Sequence, residues 1–169
     1  HLANCLMQAD WAALRKDLDQ RPVEGVDGKA ESDDIERVLA KYGIFPDRVE
    51  LWGTGRPLRE FLWSEEMADA SVYIMEKVDF ADLCKGQGPD IRNTHINIGT
   101  GVEHTIREVA QMVCREVGFT GTVNFDASKP DGTLRKLTDV SKLHKLGWHH
   151  QVELEEGIDR LYQWYLKNS

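Results

Sequence analysis

A cluster of basic residues in an otherwise acidic chain is the first stretch that could bind a ligand. The segment SKPDGTLRK, residues 128–136, places Lys129, Arg135 and Lys136 around a Pro-Asp-Gly turn. The whole chain of 169 residues has a formal net charge of -8, so these cations stand out. Cations gathered in one loop can bind phosphate oxygens, and a carboxylate at its apex, Asp131, can accept hydrogen bonds. The loop is therefore a candidate site for an anionic ligand that carries hydroxyl groups.

A second stretch, LWGTGRPLREF at residues 51–61, combines an aromatic plane with a guanidinium group. Trp52 precedes a glycine turn, and Arg59 follows Pro57 at the start of a predicted strand. A guanidinium can bind a phosphate through two hydrogen bonds, and an indole offers a flat face to a ligand. Both stretches together suit a sugar nucleotide. The residues alone equally allow two solvated loops with Trp52 in the core.

The tripeptide GTG occurs twice, at residues 53–55 and 99–101. A glycine turn after a strand can bring backbone N–H groups close to a phosphate. GTG alone is not the GxGxxG fingerprint, however, and residues 102–104, Val-Glu-His, do not complete it at the second turn. The second turn is therefore predicted to be a tight turn that needs a positive φ, and no dinucleotide site is predicted in the chain.

Cysteine and histidine placement predicts neither a metal site nor a catalytic nucleophile. Cys5, Cys84 and Cys114 are widely separated and lack ligand spacing, and the six histidines are scattered. No run of 18 apolar residues occurs, and the first residues do not resemble a signal peptide. These features predict a soluble cytoplasmic protein with reduced thiols. Its acidic balance disfavours binding to nucleic acid or to anionic membranes.

Hydrophobic periodicity and turn residues predict elements that alternate between strands and helices, which indicates the α/β class. Helices are predicted after Asp10, from Ser32 and Ser64 as N-caps, after Thr105, at 141–146 and near the C-terminus. Strands or extended segments are predicted at 49–52, 58–63, 95–99 and 122–125. The helix after Thr105 has the strongest signal, since Thr105 and Glu108 have the spacing of a capping box. These elements would place both candidate stretches in turns beside strands.

Three long segments resemble the GDP-L-fucose synthase family within the extended short-chain dehydrogenase/reductase superfamily. The segments are LWGTGRPLREFLWSEEMADASVYIME, HINIGTGVEHTIREVAQ and VNFDASKPDGTLRKLTDVSKLHKLGWHHQVELEEGI, which cover most of residues 51–166. The REFL and NIGTG elements resemble epimerases in general, whereas FDASKPDGT-RK resembles the fucose synthases specifically. Leu134 stands where that pattern has proline.

This resemblance implies the C-terminal, substrate-binding α/β portion of such an enzyme, with the Rossmann nucleotide-binding lobe absent. It implies that Trp52, Arg59, Asp131 and Lys136 contact a GDP-sugar. No catalytic, cofactor-binding or metal-binding residue is expected in the chain. The intact enzyme would be a homodimer that uses NADP(H), epimerises GDP-4-keto-6-deoxy-D-mannose at C3 and C5, and reduces its C4 ketone to give GDP-L-fucose. The portion alone is expected to be inactive and to bind no NADP(H).

Domain organisation is predicted from the start of the chain and from the resemblance. The chain begins with His1 rather than Met, which predicts a portion of a longer protein. Residues 1–48 are predicted to be a helical insertion with its lead-in, and residues 49–169 one substrate-binding α/β unit. Two alternatives remain. One is another nucleotide-sugar epimerase or dehydratase, and the other is a protein-interaction module that uses the acidic residues Asp33, Asp34 and Glu36.

Overall fold

The computed structural model describes residues 1–168 and contains both helices and short strands. In chain order they are α1 (Leu2–Met7), α2 (Trp11–Gln20), α3 (Ser32–Lys41), β1 (Arg48–Trp52), β2 (Leu58–Glu60), α4 (Ser64–Lys77), α5 (Phe80–Cys84), β3 (Glu103–Thr105), α6 (Ile106–Glu116), β4 (Thr122–Asp126), α7 (Ser141–Lys145) and α8 (Leu154–Asn168). The predicted α/β class is confirmed. None of the helices in the described part is long and apolar enough to cross a bilayer.

The chain divides into two compact units, and each is built from separate parts of the sequence. The first unit contains His1–Pro57, Thr105–Leu134 and the chain from Ile158 onward, and the second contains Leu58–His104 and Arg135–Gly157. This division differs from the predicted boundary at residue 48, because the N-terminal helices share a unit with β1 and β4. The predicted substrate loop at 128–136 also crosses from one unit to the other after Leu134.

In the first unit, helices α1 to α3 enclose an apolar core of their own. Leu14, Leu18 and Ile35 have no exposed surface, and Leu39 is nearly as buried. The spacing of Leu14 and Leu18 places them on one face of α2. The Asp10 side chain accepts a hydrogen bond from the backbone N–H of Ala13 at 3.0 Å, which confirms the predicted start of this helix.

Two predicted helix caps are wrong. Helices α3 and α4 begin at Ser32 and Ser64 themselves, so the cap positions are Glu31 and Trp63, and neither makes a side-chain cap hydrogen bond. The Ser32 hydroxyl instead accepts a hydrogen bond from the Arg15 guanidinium at 2.9 Å. A partner distant in sequence therefore uses the oxygen that local spacing assigned to the cap.

Another part of the first unit contains the parallel strands β1 and β4 together with helix α6. Strands β1 and β4 pair with Arg48 opposite Thr122 and Trp52 opposite Asp126, which confirms both predicted strands. The capping box of α6 is also confirmed. The Thr105 Oγ1 accepts from the N–H of Glu108 at 3.1 Å, and the Glu108 carboxylate accepts from the N–H of Thr105 at 2.7 Å.

In the second unit, β2 and β3 form a two-stranded sheet, and Ala70, Leu143 and Trp148 form a small core. Within the described residues, the predicted strand at 95–99 is not assigned as a strand, so that prediction is wrong. This segment is instead fixed by side chains, since the Asn97 amide donates to the backbone oxygen of Asp139 at 3.0 Å. Helix α5 was not predicted, because its five residues bury no side chain.

A close backbone approach in the first unit gives a test of the helical segment. A Cβ atom at Gly28 would lie 2.1 Å from the backbone oxygen of Arg15, whereas one at Gly88 would meet nothing within 4 Å. We expect Gly28→Ala to lower the free energy of unfolding by about 1–3 kcal/mol, because the loop must move away from α2. Gly88→Ala should change it by less than about 0.5 kcal/mol. Urea denaturation of both variants measures this, and equal effects would contradict the packing described here.

Candidate functional site

Trp52 is an exposed aromatic residue of the predicted site. It ends strand β1, and 74% of its surface is exposed. The ammonium group of Lys129 lies 5.5 Å from the centroid of its ring, a distance at which a cation is attracted to an aromatic face. The prediction of an aromatic plane beside a basic residue therefore has a counterpart in the first unit. The alternative that Trp52 lies in the core is wrong.

Asp131 holds the glycine turn that follows Trp52. Its carboxylate accepts from the Thr54 backbone N–H at 2.8 Å and from the Thr54 hydroxyl at 2.7 Å. The hydrogen bond from the Thr54 side chain, followed by that from its backbone, lowers the pKa of Asp131 below its ordinary value. Gly53 permits this approach, since a Cβ there would lie 2.3 Å from the Asp131 carboxylate. The predicted ligand acceptor is thus also a structural residue of the turn.

A basic residue that the sequence analysis missed holds the same turn from helix α6. The Arg107 guanidinium donates to the backbone oxygen of Thr54 at 3.0 Å and lies 4.0 Å from the centroid of the Phe125 ring. The Arg107 backbone N–H also donates to the oxygen of Gly55 at 3.0 Å. Asp131 and Arg107 therefore bind the N–H and C=O sides of one peptide turn. A contact between residues 53 positions apart leaves no signal in local spacing.

The other two predicted residues lie in the second unit. Arg59 is half-buried in β2, where its guanidinium donates to the backbone oxygen of Leu58 at 2.6 Å. Lys136 is exposed. The structure thus places Trp52 with Asp131 in the first unit and Arg59 with Lys136 in the second.

The three basic residues of the predicted loop do not act as one cluster. The Arg135 Nε donates to both carboxylate oxygens of Glu103, at 2.9 and 2.8 Å, and the Glu103 side chain is only 12% exposed. The charge of Arg135 is therefore neutralised within the second unit. Lys129 belongs to the first unit with Trp52. Arg135 is thus paired with a carboxylate of its own unit, a partner that the sequence did not indicate.

The second glycine turn binds a carboxylate as well. The Glu60 Oε1 accepts from the N–H groups of Thr100 at 2.7 Å and Gly101 at 2.6 Å, and its Oε2 accepts from the N–H of Thr138 at 3.1 Å. Burial alone would raise the pKa of Glu60, but the hydrogen bonds from Thr138, Gly101 and Thr100 together lower it below its ordinary value. The sequence analysis missed this residue, since its partners lie about 40 and 78 positions away.

These contacts decide what the two GTG turns can bind. The first turn donates one backbone N–H and a hydroxyl to the Asp131 carboxylate, and the second donates two backbone N–H groups to the Glu60 carboxylate. A second anion at either place would be repelled. A Cβ at Gly99 would lie 2.5 Å from the Glu60 carboxylate, so no space for a phosphate remains there. The residues of these turns therefore do not fit the diphosphate of NADP. Within residues 1–168, no group of three or more potential ligand side chains could hold a metal ion.

The cavities of the first unit lie beside helix α6 and strand β4. One of about 410 Å³ is lined by Arg107, Arg115, Phe119 and Phe125, among others. A second, of about 300 Å³, has a mainly apolar lining that includes Val49, Leu51, Val113 and Val117. Neither is lined by any of the four predicted residues. In the first unit, the predicted residues Trp52 and Asp131 are instead exposed at the surface.

Comparison with known proteins agrees with these motifs. Residues 22–99 match the model of the NAD dependent epimerase/dehydratase family. The GDP-L-fucose synthase of Escherichia coli (strain K12) is 53% identical over 124 residues, which are 73% of this chain and 37% of that protein. GDP-L-fucose synthase 1 of Arabidopsis thaliana is 46% identical over 122 residues, or 72% of this chain and 34% of that protein.

A solved structure resembles the whole chain. The crystal structure of a GDP-6-OMe-4-keto-L-xylo-heptose reductase from C. jejuni has a TM-score of 0.87 and 40% sequence identity. The similarity covers 100% of this chain and 45% of that one. The chain thus spans less than half the length of the proteins it matches.

The fold, the motifs and these matches together indicate similarity to epimerase-type proteins of the short-chain dehydrogenase/reductase kind, and residues 22–99 match the NAD dependent epimerase/dehydratase family. Within that family, the predicted resemblance to GDP-L-fucose synthases is confirmed.

The contact between Thr54 and Asp131 gives a direct test of the first glycine turn. We expect Thr54→Val to raise the pKa of Asp131 towards its ordinary value of 3.8, because it removes the hydroxyl that contributes most to the lowering. Thr54→Ser keeps a hydroxyl and should leave the pKa low. A carboxyl carbon NMR titration of both variants measures the difference. Identical Asp131 midpoints in the two variants would show that the hydroxyl does not determine its protonation.

Proposed function

We propose that the chain is the part of an NADP-dependent epimerase/reductase that binds the GDP-sugar substrate. The observation that carries this proposal is the exposed indole of Trp52 with the Lys129 ammonium beside its ring. An exposed tryptophan leaves a large apolar face in water, which a stacked base would cover. The adjacent cation suits a ligand that also carries phosphates. A GDP-sugar has both features.

In this proposal, Arg59 and Lys136 bind the diphosphate. Both are cationic, and the second unit contains them together. A guanidinium forms two parallel hydrogen bonds with phosphate oxygens, whereas an ammonium acts as a point charge. Asp131 has acceptor positions beyond those that Thr54 uses, since a carboxylate has about four lone-pair sites. Hydroxyl groups of the ligand would occupy them.

The residues of this chain would bind and orient the nucleotide sugar, and no proton or hydride transfer is assigned to any of them. The intact enzyme would perform both transfers, as a cytoplasmic homodimer that uses NADP(H). Its relatives support a GDP-sugar as the substrate, since the GDP-L-fucose synthases and the GDP-heptose enzyme all carry GDP in their names.

Two sugars are supported by different observations. The 53% identity to the Escherichia coli enzyme supports GDP-4-keto-6-deoxy-D-mannose, which would be converted to GDP-L-fucose. That match covers only 73% of the chain. The likeness to the C. jejuni heptose reductase covers 100% of the chain, including the helices before β1, and supports a GDP-keto-heptose. We favour the first because its sequence identity is higher, and the second is the alternative.

The proposed diphosphate site predicts which substitutions weaken binding. Titration calorimetry should detect GDP binding to the chain, and Arg59→Ala or Lys136→Ala should weaken it by about ten- to a hundredfold, because each removes a charge-assisted contact. The matched control is Lys77→Ala, which removes an exposed cation at the end of α4 in the same unit. Its affinity for GDP should equal that of the unmodified chain.

The ligand used in the titration separates the alternatives. GDP, GDP-fucose and a GDP-heptose should bind more tightly than UDP-glucose or a dTDP-sugar. Preference for a UDP- or dTDP-sugar would indicate another nucleotide-sugar enzyme. If GDP binds Arg59→Ala and Lys136→Ala as tightly as the unmodified chain, the diphosphate placement is wrong. Binding of a protein through Asp33, Asp34 and Glu36, without nucleotide affinity, would indicate an interaction module instead.

The geometry of the two glycine turns predicts the behaviour towards NADPH. The chain should neither bind NADPH nor oxidise it in the presence of a GDP-4-keto sugar, because both turns hold carboxylates. Fluorescence titration and absorbance at the reduced-nicotinamide band measure these two properties. Saturable NADPH binding would show that a site outside these turns accepts the cofactor.

A further inference from the structure

Glu60 connects three segments of the second unit through one carboxylate. Its strand, β2, also carries Arg59, and adjacent side chains of a strand point to opposite faces. One Glu60 oxygen binds the N–H groups of Thr100 and Gly101, and the other binds the N–H of Thr138. Gly99 lies so close to the carboxylate that no side chain fits there. The carboxylate is therefore enclosed by backbone donors on two sides.

Lys136 lies between two anchors to the same small sheet. On one side, Arg135 binds both carboxylate oxygens of Glu103, which belongs to β3. On the other side, Thr138 binds Glu60, which belongs to β2. Strands β2 and β3 pair with each other. The segment that carries Lys136 is thus fastened at both ends to the sheet that carries Arg59.

We propose that Glu60 is a positioning residue of the GDP-sugar site, which holds the segment of Lys136 in place beside the strand of Arg59. The inference rests on the proposed function, because it assigns both cations to the diphosphate. A lysine has a long and flexible side chain, so fixing its backbone limits where the ammonium can go. Fixing two cations before the ligand arrives lowers the cost of ordering them during binding. Glu60 itself would not contact the ligand.

Charge is the property of Glu60 that matters. Hydrogen bonds to an ionised acceptor are about twice as strong as those between neutral groups. Glu60→Gln keeps the shape of the side chain but replaces one acceptor oxygen with an N–H₂ group, which faces a backbone donor. At least one of the two anchored segments, 100–101 or 138, then loses its partner. The matched control is Glu76→Gln, which removes the same charge from an exposed position on α4.

The first measurement follows the backbone without any ligand. In the unmodified chain, the amide proton signals of Thr100, Gly101 and Thr138 should titrate together as Glu60 is protonated, at a pH below its ordinary pKa of 4.5. In Glu60→Gln this shared titration should be lost, and hydrogen exchange at the Thr138 amide, which donates to Glu60, should become about tenfold faster. Glu76→Gln should retain the titration and the Thr138 exchange rate of the unmodified chain. Unchanged exchange at Thr138 in Glu60→Gln would overturn the proposal.

The second measurement tests whether Glu60 acts through Lys136. With GDP as the probe, Glu60→Gln should weaken binding by about ten- to thirtyfold, and Glu76→Gln should have no effect. In a chain that already carries Lys136→Ala, adding Glu60→Gln should weaken binding by less than about twofold, because the residue it positions is gone. Equal GDP affinity of Glu60→Gln and the unmodified chain, or fully additive losses in the double variant, would overturn the proposal.

The two measurements separate failure of this inference from failure of the proposed function. If the unmodified chain does not bind GDP, the proposed ligand is wrong, and the exchange rate at Thr138 still decides whether Glu60 holds that segment. If GDP binds and Lys136→Ala weakens it, but Glu60→Gln does not, the function stands and the positioning role is excluded.

Discussion

A carboxylate that accepts hydrogen bonds from a glycine turn is the interaction on which the rest of this structure depends. It occurs twice, with Asp131 at residues 53–55 and Glu60 at residues 99–101. Several backbone donors that converge on one point need an anion to compensate them. Here the protein supplies that anion from a distant part of its own chain. Each carboxylate therefore ties its own segment to the segment of the glycine turn. These contacts also position the exposed residues next to them.

This arrangement also explains how an acidic chain can present cations. Arg135 is neutralised by Glu103, and Arg107 stacks on Phe125 and binds the turn after β1. These arginines stabilise the scaffold. Lys136 remains exposed, and Lys129 lies over an exposed indole. These guanidinium groups thus bind acceptors of their own unit, which their several donors suit, while the two ammonium groups do not take that role.

Features encoded by neighbouring residues were predictable from the sequence. The capping box of α6 depends on Thr105 and Glu108, three positions apart, and the strands β1 and β4 show in short apolar runs. The caps assigned to Ser32 and Ser64 failed, because both helices begin at these serines and not after them. The Ser32 hydroxyl is instead bound by Arg15, a contact that local spacing does not show. The strand predicted at 95–99 failed because its periodicity fits an extended segment whether or not a partner strand is present.

The sequence motifs point to the candidate residues, whereas the contacts that hold these residues are not visible in local spacing. Trp52, Arg59, Asp131 and Lys136 lie in motifs that carry a family resemblance, and Trp52 and Asp131 do share one unit. Glu60 and Arg107 lie in the same motifs but are defined by contacts about 40 and 53 positions away. A glycine turn shows in the sequence only that N–H groups converge. Which anion meets them is decided by the fold.

The separate core of the helical segment before β1 affects how this protein could have changed during evolution. Because Leu14, Leu18, Ile35 and Leu39 form a core without the strands, the segment can be gained, lengthened or lost while the strands keep their pairing. The entropy cost of closing a loop grows only slowly with the length of an insertion. An inserted chain that buries its own apolar surface also stabilises itself, and exposed loops tolerate such insertions. Sequence divergence there would then be independent of the strands and of the glycine turn after β1. Lineages could exchange this segment and retain the strand pairing beside it.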